Sequence, residues 1–145
     1  MVEREQSLCG RGSSFAGIVL LALVLALGAC AGTYQPYLVK PKGGLPTDAF
    51  ARCVSLLQAR YSRLHVADEA AFRLQTEWVA GPNADKASQQ RATLFLQDGG
   101  VACVVEVRFL DFGLFASIPE WTPARSDRWL EDELGEAVGQ ALAAG

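Results

Sequence analysis

Apolar and polar positions change their period along this chain, and each period predicts an element. Thr47 and Asp48 offer capping side chains ahead of Phe50, Cys53, Val54, Leu57, Tyr61 and Leu64, which recur at spacings of three and four and predict a helix with one apolar stripe. Arg52, Arg60 and Arg63 fall within about 80° of one another at about 100° per residue, so the face away from that stripe is basic. From Ala71 the period becomes two: Phe72, Leu74, Thr76 and Trp78 alternate with Arg73, Gln75 and Glu77, which predicts a strand with one dry and one wet face. Two further runs, 91–97 and 100–112, flank Asp98-Gly99, the strongest short-range hairpin signal.

A two-residue turn at Asp98-Gly99 fixes the register. Gln97 then faces Gly100, Leu96 faces Val101, Leu94 faces Cys103, Ala92 faces Val105 and Arg91 faces Glu106. One face collects Leu94, Leu96, Val101, Cys103, Val105 and Val107. The other carries Arg91, Thr93, Glu106 and Arg108, and Phe95, Ala102 and Val104 make it partly apolar, a small candidate contact patch. An aromatic-rich connection, 112–123, leads to a last helix capped by Ser126 or Thr122, with Leu130, Leu134, Ala137, Val138 and Ala141 on its buried face and Trp129 at the edge. Asp127, Glu131 and Glu136 are expected on its surface. The predicted fold is α+β in two layers, a three-stranded antiparallel sheet with the N- and C-terminal helices packed on one face.

The N-terminal segment has a different character. Phe15–Leu27 reads FAGIVLLALVLAL without a charged side chain, behind a polar stretch that holds Arg4 and Arg11, the arrangement of a secretory signal. Thirteen residues at 1.5 Å each span roughly 20 Å, short of the roughly 30 Å hydrocarbon core, which disfavours a stable membrane span. The next residues carry a resemblance. Leu27-Gly28-Ala29-Cys30 resembles the lipobox of bacterial lipoproteins. That resemblance implies cleavage before Cys30, a diacylglycerol on its thiol and an acylated new N-terminus, and two or three acyl chains anchor stably where one is marginal. Ala31 and Gly32 follow Cys30 rather than Asp, which implies the outer membrane, facing the periplasm, or the cytoplasmic membrane in a Gram-positive host. The expected organisation is a signal peptide over 1–29, a lipidated tether over 30–46 and a globular domain over 47–145. Residues 31–46 hold three prolines and three glycines, and fully extended they would reach about 50 Å at about 3.1 Å each. Tyr34, Tyr37, Leu38 and Val39 are the exception, open to being a short strand or packing on the body.

Composition narrows the function classes. Thirteen Lys and Arg stand against 16 Asp and Glu in 145 residues, with no basic run, so nothing marks a nucleic-acid surface. Of the four cysteines, Cys53 and Cys103 remain once Cys9 leaves and Cys30 is lipidated. Both are expected in one core layer, either as a disulfide closing a loop of about 50 residues and contributing at most about 4 kcal/mol, or as two reduced thiols acting as small hydrophobes. His65 is the sole histidine, expected in an exposed loop, and Asp68-Glu69 beside it form only a weak cation site. No catalytic motif, metal site or cofactor is expected. Trp121, between two prolines in SIPEWTP, is a candidate partner contact with Arg52, Arg60 and Arg63; the other reading has Phe112, Phe115, Ile118 and Trp121 folding back to close one end of the core. These readings converge on a non-enzymatic lipoprotein, anchored through Cys30 and docking to an envelope protein. A binding module for a small apolar or lipid ligand is the alternative.

Overall fold

The computed structural model describes residues 34–81, 87–113 and 118–144, so the signal segment and Cys30 lie outside the described residues. The chain divides into two units after Gln35, and the fold that follows is that of the second, Pro36–Gly145. Its elements are β1 (Tyr37–Val39), α1 (Ala49–Tyr61), β2 (Leu64–Asp68), β3 (Arg73–Thr76), β4 (Val79–Ala80), β5 (Ser88–Gln97), β6 (Gly100–Asp111), β7 (Glu120–Trp121), β8 (Arg125–Ser126) and α2 (Arg128–Ala143).

The β5–β6 hairpin is the spine. Asp98 and Gly99 both take positive φ, 50° and 74°, the geometry that matches a two-residue turn to the twist of its strands. The register follows: Gln97 pairs with Gly100, Leu94 with Cys103 and Arg91 with Glu106, as the turn requires. The rest of the sheet is wider than the sequence predicts. It is α+β with an antiparallel sheet of eight strands, ordered β1-β6-β5-β3-β2, with β4 on β5 and β7 and β8 on β6. The missed strands have a common cause, because runs of two to five residues are too short to establish a period.

Residues 36–46, read as tether from their prolines and glycines, belong to this unit. Tyr37–Val39 is the short strand left open above, pairing Tyr37 with Cys103 and Val39 with Val101. At the other edge, β2 takes Leu64 out of the predicted helix and His65 out of the predicted loop. Ser62, at φ 68°, ends α1 and turns the chain back as β2, against β3. Phe72 is not in the strand either; it closes the β2–β3 turn at φ 43°, where a bulky residue is strained by about 1–2 kcal/mol. Its burial and its edge-on contact with Phe50, centroids 5.5 Å apart, offset that strain.

One core lies between the helices and one sheet face. Cys53, Leu57 and Tyr61 of α1 and Leu130, Leu134, Val138 and Leu142 of α2 pack on Leu74, Ala92, Leu94, Val101, Cys103 and Val105. Leu96, expected on that face, is exposed near the turn. The caps also differ from expectation. Asp127 caps α2, its Oδ1 accepting from Leu130 N at 3.2 Å, while Thr122 Oγ1 accepts from Phe109 N at 3.0 Å and Ser126 lies in β8. Glu131 is a larger correction, being fully buried rather than on the helix surface. The register explains it. In a two-residue hairpin the odd residues of β6 point their backbone groups away from β5. β1 serves 101 and 103, β8 serves 107 and Thr122 serves 109, which leaves Val105 between them. Asp127 N donates to the Val105 carbonyl at 2.8 Å, and Glu131 Oε1 accepts from Val105 N at 3.3 Å. Thr76 fills the matching place on the other side, its Oγ1 accepting from Ala92 N at 3.0 Å.

Candidate functional site: the open face of the sheet

Both helices cover one face of the sheet. On the other, the outward residues of the hairpin form two zones. Toward the turn lie Phe95 and Val104, both half-buried, and Ala102, fully buried, with Leu38 of β1 opposite Ala102. Toward the far end lie Gln89, Arg91, Glu106 and Arg108, where charge and aromatic rings meet.

Trp78 joins this second zone through a one-residue slip. β3 pairs Leu74 with Leu94, so an unbroken strand would set residue 78 opposite Gln90 on the helix side. Instead Val79 pairs with Gln90 and Ala80 with Gln89. The extra residue acts as a β-bulge, turning Val79 toward the core and Trp78 outward. The prediction that Trp78 faces the dry side is therefore corrected. The legible signal was Val79 itself, a second apolar residue directly after Trp78 that breaks the alternation.

The outward Trp78 receives two guanidinium groups, Arg91 at 4.6 Å and Arg108 at 4.1 Å from the ring centre. Arg108 also lies 4.7 Å from the ring centre of Trp121, which β7 places beside Leu110. The result is a stack of indole, guanidinium and indole, each contact contributing about 0.5–1 kcal/mol where exposed. Hydrogen bonds fix the arginines in plane. Arg108 donates from Nε and Nη2 to Gln89 Oε1 at 3.0 and 2.6 Å, and Arg91 from Nε and Nη2 to Glu106 Oε2 at 2.9 and 2.6 Å. The Arg91–Glu106 ion pair was legible from the register. Side chains held this way present a preformed surface, with little rotamer freedom left to lose on docking.

Trp121 is 38% exposed, Phe112 65% and Ile118 74%, so these residues do not close the core. Phe115 lies outside the described residues. The three arginines of the first helix are not brought to Trp121. Arg52 ion-pairs with Asp48 at 2.8 Å and donates to the Ala141 carbonyl at 3.2 Å, where a cation suits the end of α2. Arg60 pairs with Glu133. These contacts join opposite ends of the two helices, so α1 and α2 run antiparallel and Arg52 and Arg60 hold them together. Arg63 is exposed, beyond the end of α1. The basic stripe is thereby divided between helix packing and solvent.

Cys53 and Cys103 share the core, as expected, and both are free thiols. Burial pushes Cys53 up to about 11 and Cys103 up to about 12, the latter also raised by Cys53 and Glu131. Thiols held protonated this way are poor nucleophiles. His65 is exposed on the edge strand β2, and Asp68 Oδ1 accepts from Ala71 N at 3.0 Å, serving the turn. Among the described residues no group of three or more His, Cys, Asp or Glu could hold a metal ion, and no helix is long and apolar enough to cross a membrane. An open cleft of about 920 Å³ runs between residues 40–48 and the C-terminal end of α2, with Lys40, Lys42 and Arg52 on its wall. No protein-family model and no curated protein matches the chain.

Proposed function

We propose that this chain is a non-enzymatic lipoprotein of the bacterial envelope, held in the outer membrane and facing the periplasm by acyl chains on Cys30, and acting by protein–protein contact. The anchor rests on Leu27-Gly28-Ala29-Cys30. The observation that carries the docking role is the sheet face that neither helix covers, with its Trp78–Arg108–Trp121 stack. Tryptophan and arginine dominate the energetics of protein interfaces, and here they are held in place by Gln89 and by each other. The space between helices and sheet is occupied by fully buried Leu57, Leu74, Leu94 and Leu134, which favours a docking surface over a binding module for an apolar ligand.

Photo-crosslinking in cells tests this reading. A photoreactive side chain at Phe95 or Gln75, on the open face, should give one recurring protein adduct, and the same probe at Glu136 on α2 should not. Adducts of equal yield from both faces, or none from the open face, would contradict it. Arg108→Ala should cut the adduct yield from Phe95 while leaving the melting temperature within a few degrees.

A further inference from the structure

The anchor and the fold together constrain how this domain can stand on its membrane. Because the folded unit begins at Pro36, only residues 31–35 separate it from Cys30. Six Cα–Cα steps of at most about 3.5 Å bridge Cys30 to Pro36, roughly 20 Å whatever path they take, and not the about 50 Å that a tether reaching to Pro46 would give. With acyl chains on Cys30, a leash this short would keep the start of the domain within about 20 Å of the bilayer.

One end of the sheet is suited to that contact. β1 runs antiparallel to β6, so its upstream end points toward the C-terminal end of β6. There β6 and β7 pair Leu110 with Trp121 and Asp111 with Glu120, which sets Phe112 and Ile118 just beyond the last pair. Both are more exposed than any other described large apolar side chain of this end, and Phe109 and Trp121, each 38% exposed, stand behind them. Pro36 lies level with about Val104, and the seven residues from there to Asp111 cover about 23 Å at about 3.3 Å each, slightly more than the leash can reach, so this end meets the bilayer with the strands leaning from the membrane normal. The opposite end is the turn Gln97-Asp98-Gly99, polar and without an aromatic side chain, with the exposed Leu96 beside it.

We propose that the β6–β7 end is a membrane-seating surface. Phe112 and Ile118 enter the headgroup boundary of the bilayer that holds the Cys30 acyl chains, and Trp121 lies at the headgroup level, while Arg108 and Trp78 behind it stay open to a protein partner. An indole suits that level, joining an apolar body to a polar group. Asp111 and Glu120, both exposed beside the patch, mean that apolar contact rather than attraction to anionic lipid drives the seating. This inference rests on the lipoprotein reading above.

Tryptophan quenching by bromine-labelled acyl chains tests it, using the acylated full chain in vesicles of phosphatidylethanolamine and phosphatidylglycerol. With Trp78→Phe and Trp129→Phe, Trp121 is the sole described emitter at this end, and its emission should be quenched equally at low and high salt. Adding Trp121→Phe and Gln97→Trp moves the reporter to the far end of β6, about 35 Å away at about 3.3 Å per residue, where quenching should be absent. Phe112→Ser with Ile118→Ser, both at exposed positions, should abolish the Trp121 signal without changing the fold. Equal quenching of both reporters, or an unquenched Trp121 in acylated protein, would overturn the proposal. A protein adduct from a photoreactive group at Ile118 with Trp121 unquenched would overturn it in favour of a protein at this end. Intact mass on the same sample separates the two failures: an unacylated Cys30 removes the lipoprotein reading as well, and an acylated one with no quenching removes only the seating.

Discussion

Glu131 and the two cysteines show how single residues hold this fold together. Glu131 is a buried carboxylate because one backbone amide of β6 falls between the reach of β1 and that of β8. Glu131→Ala would leave Val105 N without that acceptor, and urea denaturation should show a loss of about 1–3 kcal/mol. For Cys53 and Cys103 the sign of the pH dependence follows from their protonated burial. The folded chain binds these protons more tightly than the unfolded chain, so stability is full below 9.0 and is lost as pH climbs toward about 11 and about 12. Cys53→Ala with Cys103→Ala should remove that alkaline loss, read as a flatter stability profile above pH 9.0, at the cost of stability at neutral pH. Thiol titration without reductant should find two groups, slow in the native protein and immediate once it is denatured.

Among the elements, the register of the β5–β6 hairpin was legible because a two-residue turn and a period of two determine each other, and every predicted pair is present, although β5 starts three residues earlier, at Ser88, and Leu96 is exposed. α1 was legible in its stripe but not in its end, since Leu64 continues the helical spacing while Ser62 takes the chain out of the helix. The open face was half legible. Arg91, Glu106 and Arg108 follow from the register, whereas Trp78 depends on a bulge whose sign in the sequence is Val79 breaking the alternation. β1 escaped because its neighbours are prolines and glycines and three residues carry no period. Its attachment makes a specific demand on β6: at Gly100 an added methyl group would overlap the Val39 carbonyl, which is backbone and cannot swing aside. Gly100→Ala should therefore destabilise by about 1–3 kcal/mol, and amide exchange in Tyr37 and Val39, which face Cys103 and Val101, should speed up more than in β5.

For the molecule as a whole, the two-layer α+β plan and the placement of the core came from hydrophobic period, while the width of the sheet and the length of the leash came only from pairing between distant residues. That pairing changes the biological picture. A domain expected to stand well off the bilayer instead begins six residues after the proposed anchor, with an exposed aromatic end on the side toward which β1 leads. Everything proposed about its working position therefore turns on Cys30. The decisive measurement is the intact mass of the protein extracted from cell membranes. A chain that begins at Cys30 and carries diacylglycerol and acyl mass is the predicted result, with Cys30→Ala giving none of that mass. An unmodified chain, or one that keeps the N-terminal 29 residues without acylation, would contradict the account.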